Sequence, residues 1–353
     1  MQPAFHQQES QFARAFAILR DGIAQRAFPG AALAVTYRDN LIASKGFGRF
    51  TYDAASPEVH AETIFDLASV TKVVATTSMA MLLYQRELLD LDAPAISVLP
   101  EFAQPAITIR MLLAHSSGLP AYIKLFETAR NRDELFRAAC NTPLAHLPGT
   151  HAEYSDIGFI LLGEILDRVA KEPIDRFVRR EVFAPLGMEQ TQFNPPPSLK
   201  DAIPPTEDDR TFRHCIIQGE VNDENTFVMG GVAGHAGLFA PAPDIARFAE
   251  CVLHGGAPIF RPVTVELFTR RERSPIGTSR ALGWDTPSQP SSSGLHFSPR
   301  SFGHLGYTGT SLWIDPDRQL SVTLLTNRTW PDRSSQAIKQ VRPLLHDAIV
   351  EAL

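Results

Sequence analysis

Short apolar runs that enclose turn-forming residues occur near both ends of the chain. The enclosed residues are 38–40 (Arg-Asp-Asn) near the N-terminus and 315–317 (Asp-Pro-Asp) near the C-terminus. Apolar runs of this length around such residues are typical of β-hairpins, so the pattern predicts one hairpin at each end. The apolar runs cover residues 31–37, 41–47, 311–314 and 320–326.

Apolar positions recur with helical spacing at the N-terminus and through the middle of the chain. Phe12, Phe16, Leu19 and Ile23 lie three or four residues apart, which predicts an amphipathic first helix. Proline-rich connectors separate the helical patterns of the middle. The further predicted helices cover about 69–86, 108–113, 156–169, 243–253 and 334–353.

Strands at both chain ends with helices between them favour an α+β fold. One antiparallel sheet would form from the two ends, and the helical middle would cover it and build a second lobe. We expect a single domain over residues 1–353. Its sheet lobe would comprise about 1–68 and 255–353, and its helical lobe about 69–254.

Composition and charge narrow the classes of partner. The 353 residues are 44% hydrophobic and 20% charged, with a formal net charge of −6, and this leaves no basic stripe for nucleic acid. No apolar stretch reaches the roughly 20 residues of a membrane span, and the N-terminus lacks the basic start and apolar run of a leader. We therefore expect a cytoplasmic protein without a nucleic-acid partner. The pattern indicates no particular oligomeric state.

Cysteine and histidine spacing gives no sign of a disulfide framework or a metal site. Cys140, Cys215 and Cys251 are far apart and form no C-x-x-C pair, as expected for thiols in a reducing compartment. The histidines follow no known ligand spacing, so we expect neither a metal nor another cofactor. The histidines considered are His115, His151, His214, His235 and His304.

The first candidate for chemistry is an S-x-x-K motif at Ser69 and Lys72, where an apolar run gives way to a helical pattern. Residues three apart share a helix face, so the Lys72 amine would lie beside the Ser69 hydroxyl. A partly desolvated lysine can accept the proton that makes a serine nucleophilic, and helix N-terminal N–H groups favour the developing negative charge. An ordinary N-capping serine followed by a lysine has the same spacing.

The second candidate is Tyr154, which precedes Ser155 and Asp156 at the start of a predicted helix. From that junction the tyrosine could reach a serine–lysine pair. Held as a phenolate by a cation, it could carry a proton from Ser69 to the leaving group. The alternative is a half-buried tyrosine beside an N-capping Ser155 or Asp156.

The third candidate is His304-Leu305-Gly306, just before the C-terminal strands. A small residue at a strand edge lets a substrate backbone lie alongside and add to the sheet. The N–H groups of Tyr307 and Ser69 could together form an oxyanion hole. The alternative is a turn glycine next to a surface histidine.

The order of these three motifs resembles that of the class C β-lactamase-like family, a group related to the penicillin-binding proteins. Stretches at 107–120, 183–188 and 230–239 resemble the same family, and the resemblance covers roughly residues 28–328. It implies a five-stranded antiparallel sheet with flanking helices, a mostly helical second lobe, and a site between them.

The resemblance also implies roles for particular residues. In that family the motif serine is acylated while the lysine and the tyrosine move protons. The implied activity is that of a serine hydrolase acting, without a cofactor, on an amide or ester of a small-molecule or peptide-like acyl substrate. Catalysis would fall on Ser69, Lys72 and Tyr154, and substrate or oxyanion contacts on Asp156, His304, Gly306 and Tyr307.

Two positions depart from the family pattern. Asp156 stands where the family has asparagine, and a carboxylate there would hold Lys72 in its charged form. His304 stands where true β-lactamases have lysine, and it would supply positive charge only when protonated. Both departures argue against an efficient β-lactamase, and they leave acyl transfer itself intact.

Other functions stay open at this point. An intracellular muropeptide amidase or peptidase is one, because residues 223–225 (Asp-Glu-Asn) and His235 lie in a stretch that resembles a subgroup linked to cell-wall fragment recycling. These residues are either part of a substrate-binding loop or a polar loop with Asx turns. A binding or sensor module that has lost catalysis is another. A zinc hydrolase lacks its ligand spacing, and an α/β-hydrolase esterase lacks its G-x-S-x-G turn.

Overall fold

The structure is a computed structural model that describes residues 2–353. Both hairpins predicted from the sequence are present, and they lie next to each other in one sheet. The strands of the described residues are β1 (Gln2–Pro3), β2 (Gly30–Tyr37), β3 (Asn40–Gly48), β4 (Phe65–Asp66), β5 (Gln192–Phe193), β6 (Glu207–Asp209), β7 (Cys215–Ile217), β8 (Leu238–Ala240), β9 (Phe302–Leu305), β10 (Ser311–Asp315) and β11 (Leu320–Thr326).

The main sheet has the strand order β1-β3-β2-β11-β10-β9. The five strands from β3 to β9 pair antiparallel with their neighbours, as expected. The prediction of a five-stranded, purely antiparallel sheet is nevertheless incomplete, because β1 adds a sixth strand that pairs parallel with β3. Strand β1 consists of one glutamine and one proline, so the sequence has no apolar pattern from which it could be predicted.

The N-terminal hairpin turn is tighter than the sequence pattern suggests. Arg38 and Asp39 both have a positive φ, 47° and 69°, and β3 begins at Asn40. Two consecutive residues with positive φ form the type I′ turn, whose twist matches that of paired strands. The close pairing of β2 and β3 follows from this turn.

The predicted helix over residues 69–86 is divided into three pieces. A 3₁₀ turn (Ala68–Val70) is followed by a π-helical turn (Lys72–Thr77) and then by the α-helix α3. The other predicted helices are present, the last one beginning at Ile338. The α-helices of the described residues are α1 (Gln8–Gln11), α2 (Ala13–Ala24), α3 (Ser78–Gln85), α4 (Ile109–Leu113), α5 (Arg132–Cys140), α6 (Asp156–Ala170), α7 (Ile174–Val178), α8 (Glu224–Val228), α9 (Ala242–Leu253), α10 (Pro262–Thr269) and α11 (Ile338–Glu351).

Helices cover both faces of the main sheet. Alternate residues of β2 point to opposite faces, so Leu33 and Val35 pack against α2 and α11, while Ala32 and Ala34 pack on the side of α9. Of the apolar side chains of the predicted first helix, Phe12, Phe16 and Leu19 are buried as expected, and Ile23 is partly buried. Helix α9, which the sequence assigns to the helical lobe, packs on the main sheet. The boundary between the two lobes near residue 254 stays a prediction.

Within residues 2–353, no helix combines the length and the apolar character that crossing a bilayer requires.

Candidate active site

Ser69 follows a strained residue, Ala68, which begins the 3₁₀ turn just after the short strand β4. Ala68 has φ +46°, a left-handed conformation that residues with a Cβ adopt only when their surroundings enforce it. The Asp66 carboxylate, at the end of β4, enforces it here by accepting a hydrogen bond from the Ala68 N–H at 2.8 Å. The turn leaves the Ser69 side chain half-buried at the wall of a cavity instead of inside the core.

Lys72 lies at the centre of the polar network. Its side chain is fully buried, and four oxygens lie within 3.1 Å of its Nζ atom. An ammonium has three N–H donors, whereas a neutral amine has two and a lone pair that can accept a proton. The four oxygens are Ser69 Oγ at 3.1 Å, Tyr154 OH at 2.6 Å, Asp156 Oδ1 at 2.6 Å and the His235 carbonyl at 3.0 Å.

Tyr154 completes the contact between the first two motifs. Its hydroxyl lies 2.6 Å from Ser69 Oγ and donates to Asp156 Oδ1 at 2.8 Å. The next residue, Ser155, caps α6, because its Oγ accepts from the Gly158 N–H at 3.1 Å. The capping alternative considered from the sequence is therefore correct for Ser155, and the cap fixes the start of α6 one residue after Tyr154.

The protonation state of Tyr154 differs from the phenolate considered from the sequence. Burial of the phenol, reinforced by the neighbouring Asp156 carboxylate, raises the pKa of Tyr154 well above its ordinary value. Tyr154 is therefore a neutral phenol with a proton to donate. Burial also lowers the pKa of Lys72, while the ion pair with Asp156 acts in the opposite direction.

His304 lies on the edge strand β9, beside the network. It is 3% exposed, and its Nδ1 donates to the Leu305 carbonyl at 2.8 Å. Burial, with help from the positive charges of Lys72 and Arg280, lowers the pKa of His304 well below its ordinary value. His304 is therefore neutral near pH 7 and does not replace the missing lysine as a cation.

Arg280 supplies the permanent positive charge that the sequence analysis missed. Its guanidinium lies 5.8 Å from the centre of the Tyr154 ring and lines the same cavity as Ser69. Asp285 is 3.7 Å away, too far for a hydrogen bond, and the guanidinium has no hydrogen-bond acceptor within residues 2–353. No local motif marks Arg280, because only the bridges from Arg280 to Asp285 and from Asp285 to Gly303 place it beside β9.

The two N–H groups expected to form an oxyanion hole are both free. Neither the Ser69 nor the Tyr307 N–H donates to an acceptor within the described part of the chain. Two threonines tie their loops together, since Thr308 Oγ1 donates to the Asp66 carbonyl at 2.8 Å and Thr310 Oγ1 to the Leu67 carbonyl at 2.9 Å. These two hydrogen bonds therefore fix the positions of the Ser69 and Tyr307 N–H groups relative to each other.

Gly306 must be a glycine for the two loops to come this close together. A Cβ atom there would lie 1.9 Å from Thr310 Oγ1 and 2.5 Å from the Leu67 carbonyl oxygen. The alternative, in which Gly306 is only a turn residue, does not account for these close contacts. Gly306 lets β9 approach the residues before Ser69, and the Tyr307 side chain, 48% exposed, lies at the cavity wall.

The cavity in front of Ser69 has a volume of about 600 Å³. Its wall contains charges of both signs and two exposed tyrosines, Tyr122 and Tyr307. Asp223 and Glu224 also line it, as the substrate-loop interpretation expects. Asn225 instead has a structural role, because its side chain is fully buried and hydrogen-bonds the backbone of residues 123 and 126.

His235 contributes to the network through its backbone. Its carbonyl accepts from Lys72, while its ring Nε2 lies 2.8 Å from Asp223 Oδ1 and 3.1 Å from Thr226 Oγ1. Among residues 2–353, a cluster of three potential metal ligands occurs at Asp39, Glu250 and His254, and the histidines considered from the sequence do not belong to it.

Comparison with known proteins agrees with this geometry. Residues 15–345 match the family model described as Beta-lactamase. A Bacillus subtilis (strain 168) protein named "N-acetylmuramyl-L-alanine amidase" is 32% identical, over 85% of this chain and 77% of its own length. A Salmonella agona (strain SL483) protein named "Putative D-alanyl-D-alanine carboxypeptidase" is 31% identical, over 85% and 79%.

Solved structures show the same fold at lower sequence identity. The hydrolase EstCE1, described as having promiscuous acyltransferase activity, superposes with a TM-score of 0.80 at 20% identity, over 97% of this chain and 99% of its own. A penicillin-binding protein homologue from Caulobacter crescentus gives 0.77 at 20% identity, over 98% of both chains. The chain belongs to the Beta-lactamase family and is a serine hydrolase of the β-lactamase/transpeptidase-like fold.

Proposed function

We propose that this protein is an amidase that cleaves the bond between an acyl group and the nitrogen of an amino acid or peptide, by way of an acyl-Ser69 intermediate. The observation that carries the proposal is the contact of Ser69 Oγ with both a buried amine and a neutral phenol. Lys72 is 3.1 Å away and Tyr154 is 2.6 Å away.

The network accounts for each proton of the acylation step. Lys72, as the neutral amine, accepts the Ser69 proton while Oγ bonds to the carbonyl carbon. The Ser69 and Tyr307 N–H groups stabilise the resulting oxyanion. Tyr154 donates its proton to the leaving nitrogen as the C–N bond breaks, and Lys72 returns a proton to Tyr154 across 2.6 Å. The same groups in reverse activate water, which releases the acyl group and restores the Ser69 hydroxyl.

A neutral Tyr154 favours amides among acyl substrates. An amine leaves only when its nitrogen has been protonated, so amide cleavage needs a general acid near the leaving group. The raised pKa of Tyr154 keeps that proton available at neutral pH. An activated ester has a better leaving group and depends less on this donor.

The walls of the cavity favour a substrate with a carboxylate and a sugar or other hydroxylated part. The Arg280 guanidinium suits a carboxylate, because arginine binds carboxylates through paired charge-assisted hydrogen bonds. Tyr122 and Tyr307 offer exposed rings, and Glu224 offers acceptors for hydroxyl groups. A muramyl-alanine fragment of the cell wall combines these features, and the name of the Bacillus subtilis relative supports this class.

Paired substrates test this proposal. N-acetylmuramyl-L-alanine is expected to be hydrolysed to the muramic acid derivative and alanine, and faster than a D-alanyl-D-alanine peptide is shortened. Release of alanine is followed by chromatography, with nitrocefin as the β-lactam comparison. Faster cleavage of the D-alanyl-D-alanine peptide would assign the protein to the carboxypeptidases instead.

Arg280→Met is expected to raise KM for N-acetylmuramyl-L-alanine by roughly 10- to 100-fold, the value of one charge-assisted interaction. The same substrate with its carboxylate converted to a carboxamide should show little change, because it lacks the anion. Arg273→Met, at an exposed arginine outside the cavity, is the matched control. An equal loss with both substrates would rule out carboxylate binding by Arg280.

Asp156→Asn is expected to move the acidic limb of the pH profile of kcat/KM to lower pH. The Asp156 carboxylate opposes the fall in the pKa of Lys72, so its removal lowers that pKa further. Because Lys72 acts after losing its proton, activity should then begin at a lower pH. Ester hydrolysis between pH 5 and pH 9 measures the shift, with the exposed Asp53→Asn as control. An unchanged limb, or one moved to higher pH, would contradict Lys72 as the base.

A further inference from the structure

Arg342 lies beneath the loop that carries the Tyr307 N–H. It belongs to α11, is 5% exposed, and its Nη2 donates to the Gly306 carbonyl at 2.9 Å and to the Thr310 carbonyl at 2.7 Å. Both acceptors are neutral, and the charged group that faces Arg342 is another guanidinium, that of Arg328.

A buried cation without a counterion is costly to fold. Buried guanidinium groups are normally paired with a carboxylate, because desolvation of the charge is otherwise not offset. Within residues 2–353 no carboxylate lies within ion-pair distance of Arg342, and its Nε has no acceptor. Packing of the loop alone would not require a positive charge here, so the buried Arg342 guanidinium needs another explanation.

The position of the charge suggests that role. The Gly306 carbonyl and the Tyr307 N–H are opposite ends of one planar trans peptide, so they point in opposite directions. A donor at the carbonyl polarises the peptide and strengthens its N–H as a donor, and hydrogen bonds in such chains reinforce one another. Arg342 thus acts on the carbonyl end of this peptide, and it also lines the cavity in front of Ser69.

We propose that Arg342 is a positioning residue for the reaction, which fixes and polarises the Gly306–Tyr307 peptide so that the Tyr307 N–H binds the oxyanion more strongly. This inference rests on the acyl-Ser69 chemistry proposed above. The positive charge also lies at the wall of the cavity in which the oxyanion forms. It stabilises the transition state more than the bound substrate, because negative charge develops only during the reaction.

Arg328 offers an internal comparison for this arrangement. Its guanidinium holds the same loop, but it donates to the Tyr307 carbonyl at 2.7 Å and to the Ser335 carbonyl at 3.0 Å. The Tyr307 carbonyl belongs to the following peptide, whose N–H is that of Thr308. Loss of Arg328 therefore removes a loop contact and leaves both donors to the Gly306 carbonyl in place, Arg342 and the Gly309 N–H at 3.1 Å.

The test is the infrared frequency of the acyl carbonyl in the acyl-enzyme. The full-length protein is acylated with p-nitrophenyl acetate labelled with ¹³C at its carbonyl, and the band is isolated by the difference from unlabelled ester. Arg342→Met should move the band to higher wavenumber and lower kcat by at least about 10-fold, a fraction of the loss for a whole oxyanion donor. Arg342→Lys should recover part of both changes, and Arg328→Met should move the band less.

The outcomes separate this inference from the proposed function. An acyl band at the wild-type frequency in Arg342→Met would overturn the role of Arg342 alone. If that variant fails to fold, Arg342→Gln retains a neutral donor, and a wild-type frequency there would overturn the role of the charge. The absence of any acyl adduct in the wild-type protein would instead overturn the acyl-serine mechanism and this inference with it.

Discussion

Ser69→Ala is expected to lower kcat for an amide or a p-nitrophenyl ester by roughly 10⁴-fold or more, because it removes the atom that attacks the carbonyl. Ser69 Oγ is the one hydroxyl that contacts both the Lys72 amine and the Tyr154 phenol in the part of the chain described here. The free N–H groups and the cavity stay in place, so the KM of the residual reaction should change much less than kcat. Initial rates with purified protein measure both constants.

The control for this substitution is Ser10→Ala. Ser10 is exposed on α1, and its hydroxyl contacts only a backbone carbonyl of its own turn. Its rates should equal those of the wild type. A Ser69→Ala protein that keeps more than about a tenth of the wild-type kcat would remove Ser69 from the mechanism.

Lys72→Met is expected to lower kcat/KM by about 10³-fold or more, because it removes the group that accepts the Ser69 proton and returns a proton to Tyr154. The loss should be larger for an amide than for an activated ester. An amide needs proton delivery to its nitrogen, and the relay supplies that proton. The ratio of the two losses, measured at one pH, is the most informative result.

The fold must be preserved for this comparison to be valid. Lys72→Met leaves the Asp156 carboxylate without its partner in a mostly buried site, and that is destabilising. The double variant Lys72→Met/Asp156→Asn removes both charges and should recover thermal stability without recovering activity. Lys200→Met, at an exposed lysine, controls for loss of a charge. Recovery of activity in the double variant would show that Lys72 balances charge and does not move protons.

The sequence predicts those parts of the site that depend on local spacing. The Ser69–Lys72 contact follows from three residues of helical separation, even though the helix there is a 3₁₀ turn followed by a π-helical turn. Tyr154 is found because Ser155 caps a helix that begins at the next residue. The two hairpins follow in the same way from turn residues between apolar runs.

Features that depend on tertiary contacts could not be predicted from the sequence. Arg280 has no motif, and it reaches the site through two isolated bridges outside the regular strands, from Arg280 to Asp285 and from Asp285 to Gly303. The Lys72 contact with His235 uses a backbone carbonyl, which every residue has, so the identity of residue 235 does not reveal it. The ties from Thr308 and Thr310 to the residues before Ser69 cross more than two hundred positions.

Protonation states cannot be predicted from the sequence for a related reason. A histidine in place of a lysine looks like a titratable cation in the sequence, but His304 is buried beside Lys72 and Arg280 and stays neutral. Tyr154 looks like a candidate phenolate beside a lysine, but burial, reinforced by the adjacent Asp156 carboxylate, keeps it protonated. In both cases the pKa depends on desolvation and on charges that only the folded chain brings together.

The most direct test of the account is the site of acylation during turnover. The wild-type protein is mixed with excess substrate, quenched in acid after milliseconds to seconds, and analysed by intact mass and by peptide mapping. We predict a mass increase equal to one acyl group, located on Ser69, and its absence from Ser69→Ala. Turnover at full rate with no covalent adduct, or with the acyl group on another residue, would contradict the mechanism.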